Sequence, residues 1–159
     1  MPLTAAGRKD WSNQVPIAAG MIAGAGNNRR AIDLVHSRAP EKFEFIELKI
    51  GSDTPLFAAV EILEYGFVWL LSRRDRGNLG YADRAIIQAS GVQLSVLAPA
   101  RYYRELDLTW LSASLSEGVR RLGERHGDVR LDFAFQEFPL GFVWPDAGAA
   151  VCAGAKLHH

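Results

Sequence analysis

The sequence predicts an α/β fold in which a single mixed β-sheet is flanked by helices. Three observations predict it. Residues 29–38, 43–50, 92–98 and 129–135 are short β-prone segments, several with the period-2 alternation of a half-buried strand. Residues 55–71 and 108–125 instead carry their apolar side chains at helical spacing. The segments come in the order strand, strand, strand, long helix, short helix, strand, helix, strand, which suits a mixed sheet with helices packed on it. A chain of 159 residues is sized for one domain with a substantial core.

Composition narrows the functional classes. With 48% hydrophobic and 23% charged residues, the chain has the make-up of a globular protein. Eighteen basic and eighteen acidic side chains balance, so no global field draws it to a polyanion or an anionic membrane. Cys152 is alone, which excludes an intrachain disulfide framework and fits a reducing cytosol, the expected location. Residues 1–10 lack a signal-peptide pattern. The run 55–71 is interrupted by Glu61 and Glu64 and falls short of the ~20 residues of a bilayer span, so no membrane partner is expected. His158 and His159 resemble a tag remnant and carry no metal argument.

Taken in order, residues 1–14 read as an arm or part of a helix, 15–137 as the core and 138–159 as an apolar tail broken by Gly and Pro. Residues 15–23 read as a first strand, followed by a turn around Gly24 and Gly26. Ile32, Leu34 and His36 alternate with Ala31, Asp33 and Val35, Pro40 marks a turn, and residues 43–50 return as the partner strand. Thr54 followed by Pro55 is a helix start. Around that helix apolar residues cover more than half the circumference, leaving Glu61, Glu64, Tyr65 and Ser72 as a polar stripe, so burial on most sides is expected. Residues 79–90 read as a short helix closed near Gly91. Leu111, Leu115, Val119 and Leu122 mark the inner face of the next helix, ended at His126 and Gly127, and the strand 129–135 points Val129, Leu131, Phe133 and Phe135 one way.

The chemistry lies in the hairpin. With Ala39, Pro40 and Glu41 as the turn, Arg38 faces Lys42, His36 faces Glu44 and Asp33 faces Glu47. Directly opposed residues share a face, and Lys49 lies two positions beyond Glu47 on that same face. Two carboxylates side by side repel unless a cation lies between them. Mg²⁺ is commonly held by one or two carboxylates with waters completing the octahedron. Asp33 and Glu47 are thus candidate ligands for Mg²⁺ or Mn²⁺, with Lys49 placed to orient or deprotonate a water. The plainer alternative is a solvent-facing acid–base pair on an edge strand.

Asp33, thirteen intervening residues and then Glu47-Leu48-Lys49 resemble the core motif of the PD-(D/E)XK nuclease superfamily. Over residues 15–98 the order of elements is similar too. Glu61 and Tyr65, four residues apart on the following helix, resemble the Gln-x-x-x-Tyr element of its exonuclease-type branch. The resemblance implies a restriction-endonuclease-like core and metal-dependent hydrolysis of phosphodiester bonds in DNA, with RNA second. It makes Asp33, Glu47 and Lys49 catalytic and Glu61 and Tyr65 supporting residues. Ile32 stands for the Pro of the motif's name, Glu61 for its Gln, and residues 1–14 show no clear first helix. The alternative is a non-catalytic module on the same fold, expected to dimerise. Arg73, Arg74, Arg101 and Arg104 are the candidate phosphate contacts, against the plainer reading of helix-end and surface charges.

Overall fold

The structure is a computed structural model that describes residues 9–16, 31–51, 53–104, 106–127 and 129–142. The glycine turn at 24–26, most of the expected first strand, Cys152, the tail beyond 142 and the terminal histidines lie outside the described residues.

The architecture is a five-stranded mixed sheet with strands in chain order. Strands β1 (Trp11–Pro16), β2 (Ala31–Ala39) and β3 (Lys42–Leu48) form an antiparallel meander. Strands β4 (Gly91–Ala98) and β5 (Arg130–Glu137) add in parallel beyond β3. Helix α1 (Pro55–Arg74) and the short α2 (Ala85–Gln88) link β3 to β4, and α3 (Thr109–Gly127) links β4 to β5. Both parallel connections step the same way across the sheet, so crossovers of one hand put both helices on one face. Accordingly α1 packs on β3 and β4, α3 packs on β5, and the two helices touch.

Alternation then sorts the strands. Val35, Phe45, Leu94, Val96, Leu131 and Phe133 face the helices and form the core. On the opposite face a polar network is built around Glu44, which is only 3% exposed. Its Oε1 accepts from Ser95 Oγ and Gln136 Nε2, both at 2.7 Å. Its Oε2 pairs with Arg38 Nε at 3.1 Å. His36, expected to point away from Asp33, lies on this face stacked on Trp11 at 4.1 Å.

Several expectations need correction. The first strand begins at Trp11, inside the segment expected to be an arm or helix, because it pairs with β2 from Trp11↔His36 onward. Of the short helix at 79–90 only Ala85–Gln88 is helical. The hairpin turn holds two residues, Pro40 and Glu41, so Ala39 rather than Arg38 pairs with Lys42. Glu41 takes the left-handed φ of 58° that tight hairpin turns use. A bulge between Ser37 and Ala39 absorbs the residue freed from the turn, so His36 still faces Glu44.

Helix α1 starts as expected, with Thr54 Oγ1 accepting from Phe57 N–H at 3.2 Å and Pro55 at the first position. Its burial is different. Ala58, Ala59, Ile62, Gly66, Trp69 and Leu70 face the core, together with Tyr65 and Ser72 from the expected polar stripe. Leu56, Phe57, Val60, Phe67 and Leu71 are about half exposed. Only one side of α1 meets the sheet, and small residues bring that side close: a Cβ on Gly66 would lie 2.7 Å from Leu94 Cδ1. The apolar residues on the other side are left outside the contact. By length and composition α1 is able to cross a bilayer, and half of that stretch is buried in the protein.

A candidate acidic site at the carboxyl end of β3

The last pair of the β2–β3 ladder is Leu34↔Ile46, which brings Asp33 alongside Glu47. Beyond that pair the strands part. Lys49 N–H bonds to Leu97 O on β4, so by alternation Leu48 N–H points toward β2. There it donates to Asp33 Oδ2 at 3.0 Å, a carboxylate where a strand carbonyl is usual. Gln14, held at φ 49°, donates from Nε2 to Asp33 Oδ1 at 3.2 Å. Two neighbouring strands therefore lock Asp33 onto the helix-facing side.

Glu47 and Lys49 are both buried, at 5% and 8% exposure. The Lys49 ammonium lies 3.0 Å from Glu47 Oε1, 2.6 Å from Glu61 Oε2 and 3.4 Å from Asp53 Oδ2. It also lies 5.8 Å from the centre of the Phe57 ring. Glu61 reaches it because α1 crosses above the end of β3, one turn before Tyr65. Burial works against the charge on Lys49, but its hydrogen bonds to Glu61 and Glu47 outweigh that and leave its pKa raised. Burial, and then the Asp33 charge, push the Glu47 carboxyl up to about 7 against the pull of Lys49. Glu47 Oε2 is buried with no hydrogen-bond partner. Such an orphan acceptor is costly and needs an explanation.

Asp33, Glu47 and Lys49 thus sit together as the hairpin register requires, and Glu61 joins them through Lys49. Tyr65, one turn beyond Glu61 on α1, is buried in the hydrophobic core. The four arginines separate. Arg73 Nη1 donates to Ile87 O at 2.6 Å and Ala89 O at 2.8 Å, capping the end of α2. Arg73 and Arg74 lie in the last turn of α1, about 18 Å along the axis from Glu61 at 1.5 Å per residue. Arg101 borders the site, its Nη2 donating to Ile50 O at 3.5 Å, and Arg104 is exposed beyond it.

Three residues of the site escape sequence reasoning. Gln14 lies in the segment read as an arm, and Asp53 reaches Lys49 from a loop with φ 69°. Tyr102 sits in the 3₁₀ turn Ala100–Tyr102 after β4, where the parallel pairing carries it beside the end of β3. Its hydroxyl is buried and unpartnered. Burial raises its pKa, and the charges of Lys49, Asp53, Glu61 and Glu47 all act on it. In the sequence Tyr102 stands out only by lying between Arg101 and Arg104, a setting that suits an exposed segment rather than a buried hydroxyl.

Among the described residues no three His, Cys, Asp or Glu side chains converge into a cage for an ion. A divalent cation fits only as one held by the two carboxylates and by water, with the orphan Glu47 Oε2 as the free ligand atom. No family model, curated protein or solved structure matches the chain.

Proposed function

We propose that the protein is a metal-dependent phosphodiesterase on a restriction-endonuclease-like core, acting on nucleic acid, with DNA ahead of RNA. One observation carries the reading: half-buried Asp33 meets the buried Glu47 and Lys49 at the carboxyl end of a central strand, and Glu47 Oε2 there has no partner. The element order and the Asp33, Glu47-Leu48-Lys49 spacing support it through the resemblance to the PD-(D/E)XK nucleases.

Asp33 and Glu47 would hold Mg²⁺ or Mn²⁺, which when bound supplies a Lewis acid for the phosphoryl group and lowers the pKa of a water. Asp33 is set for this by Leu48 N–H and Gln14, which fix its carboxylate without using every lone pair. Lys49 stays protonated and is held over the site by Glu61 and Asp53, where it donates to the attacking water and to the oxygen on which charge develops. Glu61 acts through Lys49 as a positioning residue, and Tyr65, buried one turn further along α1, supports it from the core. Arg101 is the cation placed to meet the substrate backbone.

Cleavage of single- and double-stranded DNA and of RNA, with and without Mn²⁺, tests the reading. Metal-dependent cleavage is expected, lost in Glu47→Gln and Lys49→Ala. Equal activity in all three proteins would overturn it. A non-catalytic module on the same fold is favoured by one observation: Glu47, Glu61 and Asp53 already surround Lys49, while Arg73 and Arg74 lie far from the site. That reading requires no Mn²⁺ binding by calorimetry and a dimer that grows with concentration.

A further inference from the structure

A cavity of about 380 Å³ lies at the other end of α1 from the acidic site. Its floor and walls are apolar: Ile32 and Phe45 from the sheet, Trp69 from α1 and Ile87 from α2. Trp69 and Phe45 meet edge to face at 6.1 Å, and the indole N–H is already bonded to Ile86 O at 2.7 Å. The interior therefore offers no free polar group from that tryptophan. Two polar side chains line the same cavity from the connection between α1 and α2, Tyr81 and Arg84. Among the described residues, neither the Tyr81 hydroxyl nor the Arg84 guanidinium has a partner.

We infer that this cavity binds a small amphiphilic carboxylate, its apolar body against Phe45, Trp69 and Ile87 and its head group paired with Arg84. Each part of the ligand follows from the wall it meets. An apolar interior with few polar groups at one side is the usual make-up of a small-molecule site, and the volume lies within the ordinary range. At roughly 30 Å³ for a water in the liquid, the space equals about a dozen waters, or a ligand of about a dozen non-hydrogen atoms. A planar guanidinium with five donors suits a carboxylate, and the Tyr81 hydroxyl adds a further donor. Among the described lining residues the one other polar side chain with a hydroxyl, amide or charge is Ser72, which is spent on Val68 O at 2.8 Å. The site is separate from the acidic cluster and does not depend on the nuclease reading.

The test is titration of the full chain with decanoate and, in parallel, with decanol, by calorimetry and by NMR of the Val68, Ile86 and Ile87 methyl groups. Saturable one-to-one binding of decanoate is expected, with shifts at those methyls. Decanol is expected to bind about tenfold more weakly, and Arg84→Ala to weaken decanoate by about tenfold while leaving decanol unchanged. Arg84 is exposed, so its loss leaves the fold intact, and Tyr81→Phe provides a second, milder variant. No saturable binding, binding without shifts at the three residues, or equal decanoate affinity with and without Arg84 would each overturn the proposal.

Discussion

Asp33 takes with its side chain a hydrogen bond that belongs to the backbone ladder: Leu48 N–H donates to Asp33 Oδ2 at 3.0 Å, just past the last β2–β3 pair. One carboxylate thus closes the sheet where it opens and stands beside Glu47. Structure and chemistry at this position are separable by substitution. Asp33→Ala leaves Leu48 N–H without an acceptor and lowers stability by about 1–3 kcal/mol in urea unfolding. Asp33→Asn keeps an acceptor for Leu48, so it is expected to retain most of that stability while losing metal-dependent cleavage.

Glu47 makes stability depend on pH. Its carboxyl is raised from 4.5 to about 7 in the folded protein, so the folded state holds the proton more tightly than the unfolded chain does. The associated stability is fully present below pH 4.5 and is lost as pH rises through about 7, a change on the order of 3 kcal/mol. Unfolding free energies measured from pH 4 to pH 8 should fall across that window in the wild type. Glu47→Gln removes the titrating group and should flatten this part of the profile.

Tyr102→Phe should separate stability from activity. The phenol O–H is buried with no partner, so deleting it is expected to stabilise the metal-free protein by about 1 kcal/mol. If that hydroxyl serves a substrate or water at the site, the same variant cleaves about tenfold more slowly under single-turnover conditions. A thermal melt and a cleavage time course on one preparation check both halves.

Gly123 marks a close contact between α3 and the chain entering β5. A Cβ there would lie 2.2 Å from Val129 O, a backbone atom unable to swing aside. Gly123→Ala is therefore expected to destabilise by about 2–4 kcal/mol, despite the better helix propensity of Ala. Gly118→Ala, on the same helix with open space around it, is the control and should stabilise slightly in the same denaturation experiment.

Much of the sheet was legible because the relevant signals are local. Alternation along β2, β3 and β5 and the Thr54-Pro55 start of α1 depend on neighbours in sequence, and a strand pairing fixed by a hydrophobic face tolerates little slippage. The Asp33–Glu47 pairing survived an error in the turn because the bulge at Ser37–Ala39 offset it by one residue. The acid–base trio could be read from the same pattern. The cavity beside Arg84 and the site role of Tyr102 could not.

By itself, then, the chain determined its element order, the pairing of β2 with β3 and the shared face of Asp33, Glu47 and Lys49, since these follow from the period of the hydrophobic pattern. Tertiary structure alone decided which side of α1 is covered, because an apolar residue such as Phe67 or Leu71 is marked for burial only by what packs on it. It also decided that Arg73 caps α2, that Asp53 and Glu61 close on Lys49, and that Tyr102 arrives from β4. Lys49 and Asp53 are only four residues apart but meet through a left-handed loop residue, and the other contacts span a dozen residues or more, so no local period encodes them.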